Sequence, residues 1–469
     1  MVAGTRRRDG ILREVEAHAH AVLPGYRPGG FDDAVAADGS VRPWARAALA
    51  AVLAQDVGAL GRAVRDDVTA MGIRFASVDG DDSWHVDPVP RAIPAAEWQH
   101  VARGLAQRAR ALNAYVADVY GPQRIVAEGA MPRRVIDSAE HFEPGMAGVE
   151  VRDGVWVGLA GLDLVRDERG RWLVLEDNVR TPSGFGYWWA AREATCRHLG
   201  LRAGDRPAPL DDVPRLLAAT LGPGRAVVLT DGPDNSAYWE HRWAAERLDV
   251  PLVAEADLEV RDGRLWHDGE RVDAVYRRSD QDTLDTPVGQ LLHPVLCAGG
   301  VKLVNCFGTG VADDKLAHAY VDVMIRFYLG EAPLLGSVET FDLADPEVLE
   351  RALDVFEHLV VKERSSYGGM GVVVVGHADR DDVEDLRERV RADPGAFIAQ
   401  RQVALSTHPT EIDGELRPRH VDLRPFVFLT SPDEAHVPPG GVTRVALDEG
   451  ALVVNSSQNG GAKDTWVVA

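Results

Sequence analysis

From residue 94 onward, Trp98, Val101, Leu105, Ala109, Leu112, Val116 and Val119 recur at spacings of three and four. That spacing predicts an amphipathic helix with its apolar stripe in the core. Pro94 suits the first turn, where a missing N–H leaves nothing unpaired. Residues 1–75 are rich in Ala and Arg and are broken by glycines and prolines near 24–25 and 28–30, which reads as short helices. After 155 the texture changes. Apolar runs at 155–159 and 172–175 predict two strands, with DERG (167–170) as a hairpin turn between them. Residues 188–199 predict a helix ended by Gly200. AVVLT (226–230) predicts a buried strand, followed by a turn at 231–235 and a helix to 247. Further apolar runs at 252–253, 272–276 and 302–304 complete a small parallel α/β unit between about 222 and 310. Beyond 355 the pattern is β-rich, with runs at 359–361, 372–375, 397–399, 421–429 and 451–454. The fold class is therefore α/β with a β-rich C-terminal part.

Charge and composition narrow the partners. Asp and Glu number 73 against 51 Lys and Arg, a formal net charge of −22. Such a surface opposes long-range attraction to nucleic acid and to anionic membranes, so neither is expected as a partner. No run approaches the ~18 apolar residues of a membrane helix, and Arg6, Arg7 and Arg8 are followed by no apolar signal-peptide core. The three cysteines, Cys196, Cys297 and Cys306, form no CxxC pair. An odd count without pairing fits a reducing, cytoplasmic setting better than a disulfide framework.

Four constellations carry chemistry. In the first, Glu176 and Asn178 stand two apart at a strand end, so their side chains leave one face, and Asp163 on the preceding strand or turn reaches that face across the hairpin. Two carboxylates and an amide oxygen form the hard-oxygen set that magnesium prefers; the same residues also read as solvated acids at a hairpin end. Asp177 points to the opposite face and is expected to tolerate substitution. In the second, Lys362 ends an apolar run and is followed by SSYGGMG (365–371), with another apolar run after it. Strand, glycine loop and strand make a flap whose N–H groups and lysine suit phosphate, or equally a plain glycine hairpin. In the third, RHVDLRPF (419–426) places His420, Asp422 and Arg424 on one strand face, with Arg424 the best bidentate partner for phosphate or carboxylate. In the fourth, a polar glycine-containing loop runs from Asn455 to Asp464. Weaker candidates are Arg277 and Arg278, Asn235 and Ser236, and Asp313, Asp314 and Lys315.

Taken together the chain resembles the circularly permuted ATP-grasp type 2 family, related to glutathionylspermidine-synthase-like proteins, from about residue 75 to the C-terminus. The resemblance rests on RAIPAAEW (91–98), RARALN (108–113), LEDNVRTPSG (175–184), NSAY (235–238), YRR (276–278), GTGVADDK (308–315), LSTHPT (405–410), RHVDLRPF (419–426) and NSSQNGGAKDTW (455–466). It implies an ATP-grasp fold with two lobes clasping ATP and magnesium, and a small Rossmann-like pre-ATP-grasp unit. The metal-binding motif precedes the lysine and flap, the reverse of the ordinary order. The implied division is residues 1–75 as an N-terminal helical segment, 76–215 as the permuted part with the metal-binding motif, 216–330 as the Rossmann-like unit and 331–469 as the lobe with lysine, flap and C-terminal strands. Carried over by position, Asp163, Glu176 and Asn178 would bind magnesium. Lys362, Ser365, Gly368, Gly369 and Gly371 would hold phosphates, Gln400 would meet adenine, and Arg424 would contact phosphate or acyl-phosphate. Ser365, Ser366 and Tyr367 stand where the family usually has an Asp-Gly-Ser-like run. Arg277 and Arg278 are the candidates for capturing a substrate carboxylate. The implied reaction joins a small-molecule or peptide carboxylate to an amine through an acyl-phosphate, giving ADP and phosphate. The alternatives are a small-molecule kinase or a nucleotide-binding accessory protein working with partner proteins of a peptide-modifying system.

Overall fold

The structure is a computed structural model that describes residues 23, 25–73, 84–365, 371–452 and 460–469. Its long helix runs Ala95–Val119 with Pro94 as N-cap. All seven residues of the predicted stripe are buried, so the 3.6-residue period identified the core-facing side correctly. Among the described residues, no single helix is long and apolar enough to cross a membrane.

Three β layers position the site. The first is a five-stranded sheet in the order Gly336–Ser337, Trp172–Asn178, Leu159–Arg166, Phe426–Ser431 and Glu434–His436. The predicted hairpin is present, but its first strand begins at Leu159 rather than ending there. The turn holds because Asp167 Oδ1 accepts from the backbone N–H groups of Arg169 and Arg171, the local bonding that favours Asp in turns. The second layer is the antiparallel sheet Thr340–Asp342, Phe397–Arg401, Leu359–Glu363 and Val372–Val374. It packs with the helices Pro346–Asp354 and Arg380–Ala392 around a core of its own, which includes Phe341, Phe356, Leu386 and Phe397. The third is a parallel sheet in the order Lys302–Val304, Ala274–Arg278, Ala226–Thr230 and Leu252–Val253. Ala226–Thr230 is buried at every position, as expected for a parallel strand covered on both faces.

Residues after about 405 do not stay with the small lobe. Phe426–Ser431 pairs with Leu159–Arg166, and Gly460–Val468 lies between Arg91–Pro94 and Val442–Ala446. Among the described residues, the small core is drawn from Phe341 to Ala399. The helices Arg46–Leu53 and Val57–Ala70 bury Leu49, Val52, Leu60, Val64 and Val68 in the core that also holds Trp188 and Trp466. Asp33 fastens this segment to the body through Arg91 at 2.7 Å and Arg166 at 2.9 Å.

Candidate functional site

The hairpin register sets the first wall of the site. Asp163 stands directly opposite Glu176, and Gly161 opposite Asn178, with a register shift just after Asp163. Residues opposite one another across an antiparallel pair share a face, so Asp163, Glu176 and Asn178 face the same way. The facing wall comes from the small sheet. Lys362 pairs with Ile398 and Val372, and Gln400 pairs with Thr340 and Val360. Both walls line one cavity of about 390 Å³ that contains Asp163, Glu176, Asn178, Lys362, Ser365, Gln400 and Arg424. Residues more than 180 positions apart in the chain thus meet in one cleft.

The charges inside are arranged in pairs. Arg424 grips Asp163 with two bonds, Nε to Oδ1 at 2.6 Å and Nη2 to Oδ2 at 2.8 Å. Arg444 adds a third at 2.8 Å and also holds Asp422. Burial pushes the Asp163 carboxyl up, but the two guanidiniums overcome it and hold it below its ordinary value. Asp422, buried beside Asp163 and sharing Arg444 with it, is raised instead. Asp163 therefore faces two arginines, and the hard oxygens turned toward the cavity without such partners are those of Glu176 and Asn178. Among the described residues no group of three or more His, Cys, Asp or Glu forms a metal-holding cluster. A set of two carboxylates and an amide still suits magnesium, which takes few protein ligands and keeps waters and phosphate oxygens.

Lys362 donates no hydrogen bond among the described residues. Burial pulls its ammonium down, while the Glu176 carboxylate across the cleft acts the other way. Gln400 donates from Nε2 to the Leu175 carbonyl and Thr340 Oγ1, both at 3.1 Å, and its Oε1 is buried without a partner. Arg180, His141, Asp313 and Lys315 also line the cavity. Asp313 accepts from the N–H groups of Val179 and Arg180; burial pushes it up to about 6, against the pull of Arg180.

Several expectations need correcting or fall elsewhere. Arg277 and Arg278 do not line the cavity. Arg277 is buried over the Phe307 ring, 4.6 Å from its centroid, and donates to the Asn305 and Cys306 carbonyls. Arg278 donates to the Pro182 carbonyl and Ser183 Oγ. They end a strand of the parallel sheet, and two nitrogens of each are bonded there, while Arg277 Nη1 and Arg278 Nε are buried without a partner among the described residues. Asp177 is not a tolerant surface position: it is buried in an ion pair with Arg108 and a bond from His318. His420 turns away to the Leu405 carbonyl. Ser365 lines the cavity and Gly371 sits at φ 64° before the next strand; Gly368 and Gly369 lie outside the described residues. From the fourth constellation, Lys463 and Asp464 are buried in a strand, paired with Asp87 and Arg192. Arg444 was not singled out by the sequence reading, although one arginine in the apolar run VTRVA was a legible signal.

Comparison with known proteins agrees with this geometry. The circularly permuted ATP-grasp type 2 family matches residues 90–446. An uncharacterized protein of Synechocystis sp. is 41% identical over 480 residues, covering 95% of this chain and 98% of its own. A Frankia casuarinae protein named "Putative glutamate--cysteine ligase 2-2" is 41% identical and covers 96% of this chain, but only 55% of its own length is matched. The structure of a glutathione synthetase-like effector from Globodera pallida superposes with a TM-score of 0.59 over 88% of this chain and 98% of that one, at 13% identity. At that identity the likeness speaks for the fold. The hairpin carrying Glu176 and Asn178, the facing sheet carrying Lys362 and Gln400, and the match over most of the chain make this protein a member of the circularly permuted ATP-grasp type 2 family.

Proposed function

We propose that the protein is an ATP-dependent carboxylate–amine ligase. The observation that carries the reading is the single cavity in which Glu176 and Asn178 face Lys362 and Gln400 from two different sheets. Gln400 Oε1 is buried with no partner among the described residues; it has two lone pairs, one of which suits the amino group of an adenine ring. Lys362, Arg424 and Arg444 suit the phosphates, since all three side chains point cationic donors into one low-dielectric cleft. Glu176 and Asn178 would hold magnesium, which supplies neutralisation of phosphate charge, while Asp163 stays bound to Arg424 and Arg444 beside them. In the reaction proposed, a carboxylate oxygen attacks the γ-phosphorus and ADP leaves. The amine then attacks the acyl carbon and phosphate leaves, forming an amide. The chain's part is positioning and charge complementarity, the terms that dominate phosphoryl transfer.

The Frankia relative's name is that of an enzyme joining two amino acids, but the chain matches only 55% of that protein. The name therefore supports the reaction class and not a particular substrate. Arg180 and Lys315, which line the cavity beside Asp313 and Asp314, are the candidates to hold a small-molecule or peptide carboxylate. The test is incubation with Mg-ATP, pools of acids and amines, and hydroxylamine. ADP, phosphate and a hydroxamate are expected. A hydroxamate separates ligation from simple hydroxyl phosphorylation, and AMP with pyrophosphate would overturn the acyl-phosphate mechanism.

A further inference from the structure

Behind Glu176 the strand turns Asp177 to its other face, and there a polar relay is assembled that the proposed reaction does not use. Arg108 reaches both oxygens of Asp177, at 2.5 and 2.7 Å, and His318 Nδ1 lies 2.7 Å from Oδ2. Arg108 Nη2 also lies 3.1 Å from Nδ1, but the shorter contact is to a carboxylate, which only accepts, and this assigns the proton to Nδ1. The lone pair is then on Nε2. That atom is buried and has no partner among the described residues, and the same is true of Gln400 Oε1. Both residues line one small cavity of about 10 Å³, with Glu176 and Lys362 among its other walls. Two acceptors facing one space that size call for a single water, a donor of two hydrogens that also accepts. Two lysines line this space; Lys315 Nζ donates to the Arg364 carbonyl, and Lys362 is the donor that completes the water's contacts.

We propose that His318 is a positioning residue for Lys362, holding the ammonium through one ordered water so that its remaining protons face the nucleotide phosphates. A lysine stem has wide rotamer freedom, and a fixed acceptor behind it removes that freedom before ATP arrives. Arg108 and Asp177 act at one further remove by fixing the tautomer, as outer partners do for metal-bound histidines. Burial pulls the His318 imidazole down against the opposing Asp177 carboxylate, and Arg108 and Lys362 act in the same direction as burial. The inference rests on the nucleotide reading of the cavity given above.

Two substitutions separate positioning from structure. His318→Asn keeps a donor near the Nδ1 position for Asp177 and loses the acceptor at Nε2. His318→Gln loses the Asp177 bond and carries an amide oxygen to the Nε2 position. Melting temperature without ligand and the Kd of Mg-ATP by calorimetry would be measured on the full chain for each. His318→Asn should melt near wild type and bind about tenfold more weakly, the effect of one hydrogen bond to a charged group. His318→Gln should melt lower yet bind more tightly than His318→Asn. In a Lys362→Met background, His318→Asn should change Kd no further, because the effect passes through the lysine. Wild-type affinity in His318→Asn, affinities that follow the melting order, or additive losses with Lys362→Met would each overturn the proposal while leaving the ligase reading intact. A wild type without Mg-ATP affinity would overturn both.

Discussion

Asp177→Asn is the substitution whose outcome the structure changes most. From the sequence alone it is a mild exchange next to a critical Glu176. In the structure Asp177 is 2% exposed and both oxygens are engaged, by Arg108 at 2.5 and 2.7 Å and by His318 at 2.7 Å. An asparagine keeps one oxygen and turns an NH₂ toward a guanidinium or an imidazole N–H. Arg108 is itself 1% exposed, so its charge is left buried and half-paired. Breaking a buried pair costs about 3–5 kcal/mol, and with one acceptor retained the expected loss is about 3 kcal/mol. The assay is urea unfolding followed by tryptophan fluorescence, comparing midpoints at unchanged slope. The pH dependence supplies a second readout. Burial opposes ionisation of Asp177, but Arg108 and His318 overcome it and depress the carboxyl far below its usual range. Stability from a depressed carboxyl is complete above its unfolded pKa of about 3.9 and is lost as pH falls below that. The gap between wild type and Asp177→Asn should be level from pH 7 to about pH 5 and narrow below about pH 4. A gap under about 1 kcal/mol at pH 7, or one that widens on acidification, would refute the reasoning.

Mg-ATP should stabilise the wild type by about 2.7 kcal/mol at a hundredfold excess over Kd, and Glu176→Gln should keep the ligand-free midpoint within about 0.5 kcal/mol yet lose that gain; a thermal shift titration reads both. Gln400→Leu should weaken ATP about fivefold and reduce any preference over GTP, as one neutral hydrogen bond predicts, and competition binding decides it. Arg444→Met leaves Asp422 buried without its guanidinium, so unfolding should come about 3 kcal/mol earlier; a loss below about 1 kcal/mol would mean that Arg424 takes over.

The parts of this protein legible from sequence were those governed by period and by strand geometry. The stripe from Trp98 to Val119 and the common face of Glu176 and Asn178 follow from periods of 3.6 and 2, and the parallel unit around Ala226–Thr230 from short continuous apolar runs. What escaped depends on which elements pack together. Asp177 looked exposed because nothing local announces that Arg108, 69 positions earlier, lies against it. Arg277 and Arg278 looked available because arginines at the end of a strand often reach solvent, yet the loop through Asn305 to Phe307 closes over Arg277. Arg444 was missed for the same reason: its partners Asp163 and Asp422 lie on two other strands.

The permuted motif order becomes intelligible once the crossings between the lobes are traced. Gly336–Ser337 belongs to the large sheet, pairing with Leu173 and Val174, while Thr340–Asp342 already belongs to the small one. Two residues, Val338 and Glu339, carry the chain across. It returns after Arg401, and by Thr407 it pairs with Arg419 and its neighbours outside the small lobe. Both crossings lie at the Gln400 end of the cavity, where Gln400 bonds Leu175 of one sheet and Thr340 of the other. The lobes are bridged a second time by Arg364, which follows the strand Leu359–Glu363 and holds Asp314 at 2.8 Å and the Ser138 hydroxyl at 2.9 Å. Chain order is then immaterial to the cleft: the relations that matter are Asp163 opposite Glu176 and Lys362 on the facing sheet, and any connection that preserves these registers preserves the site.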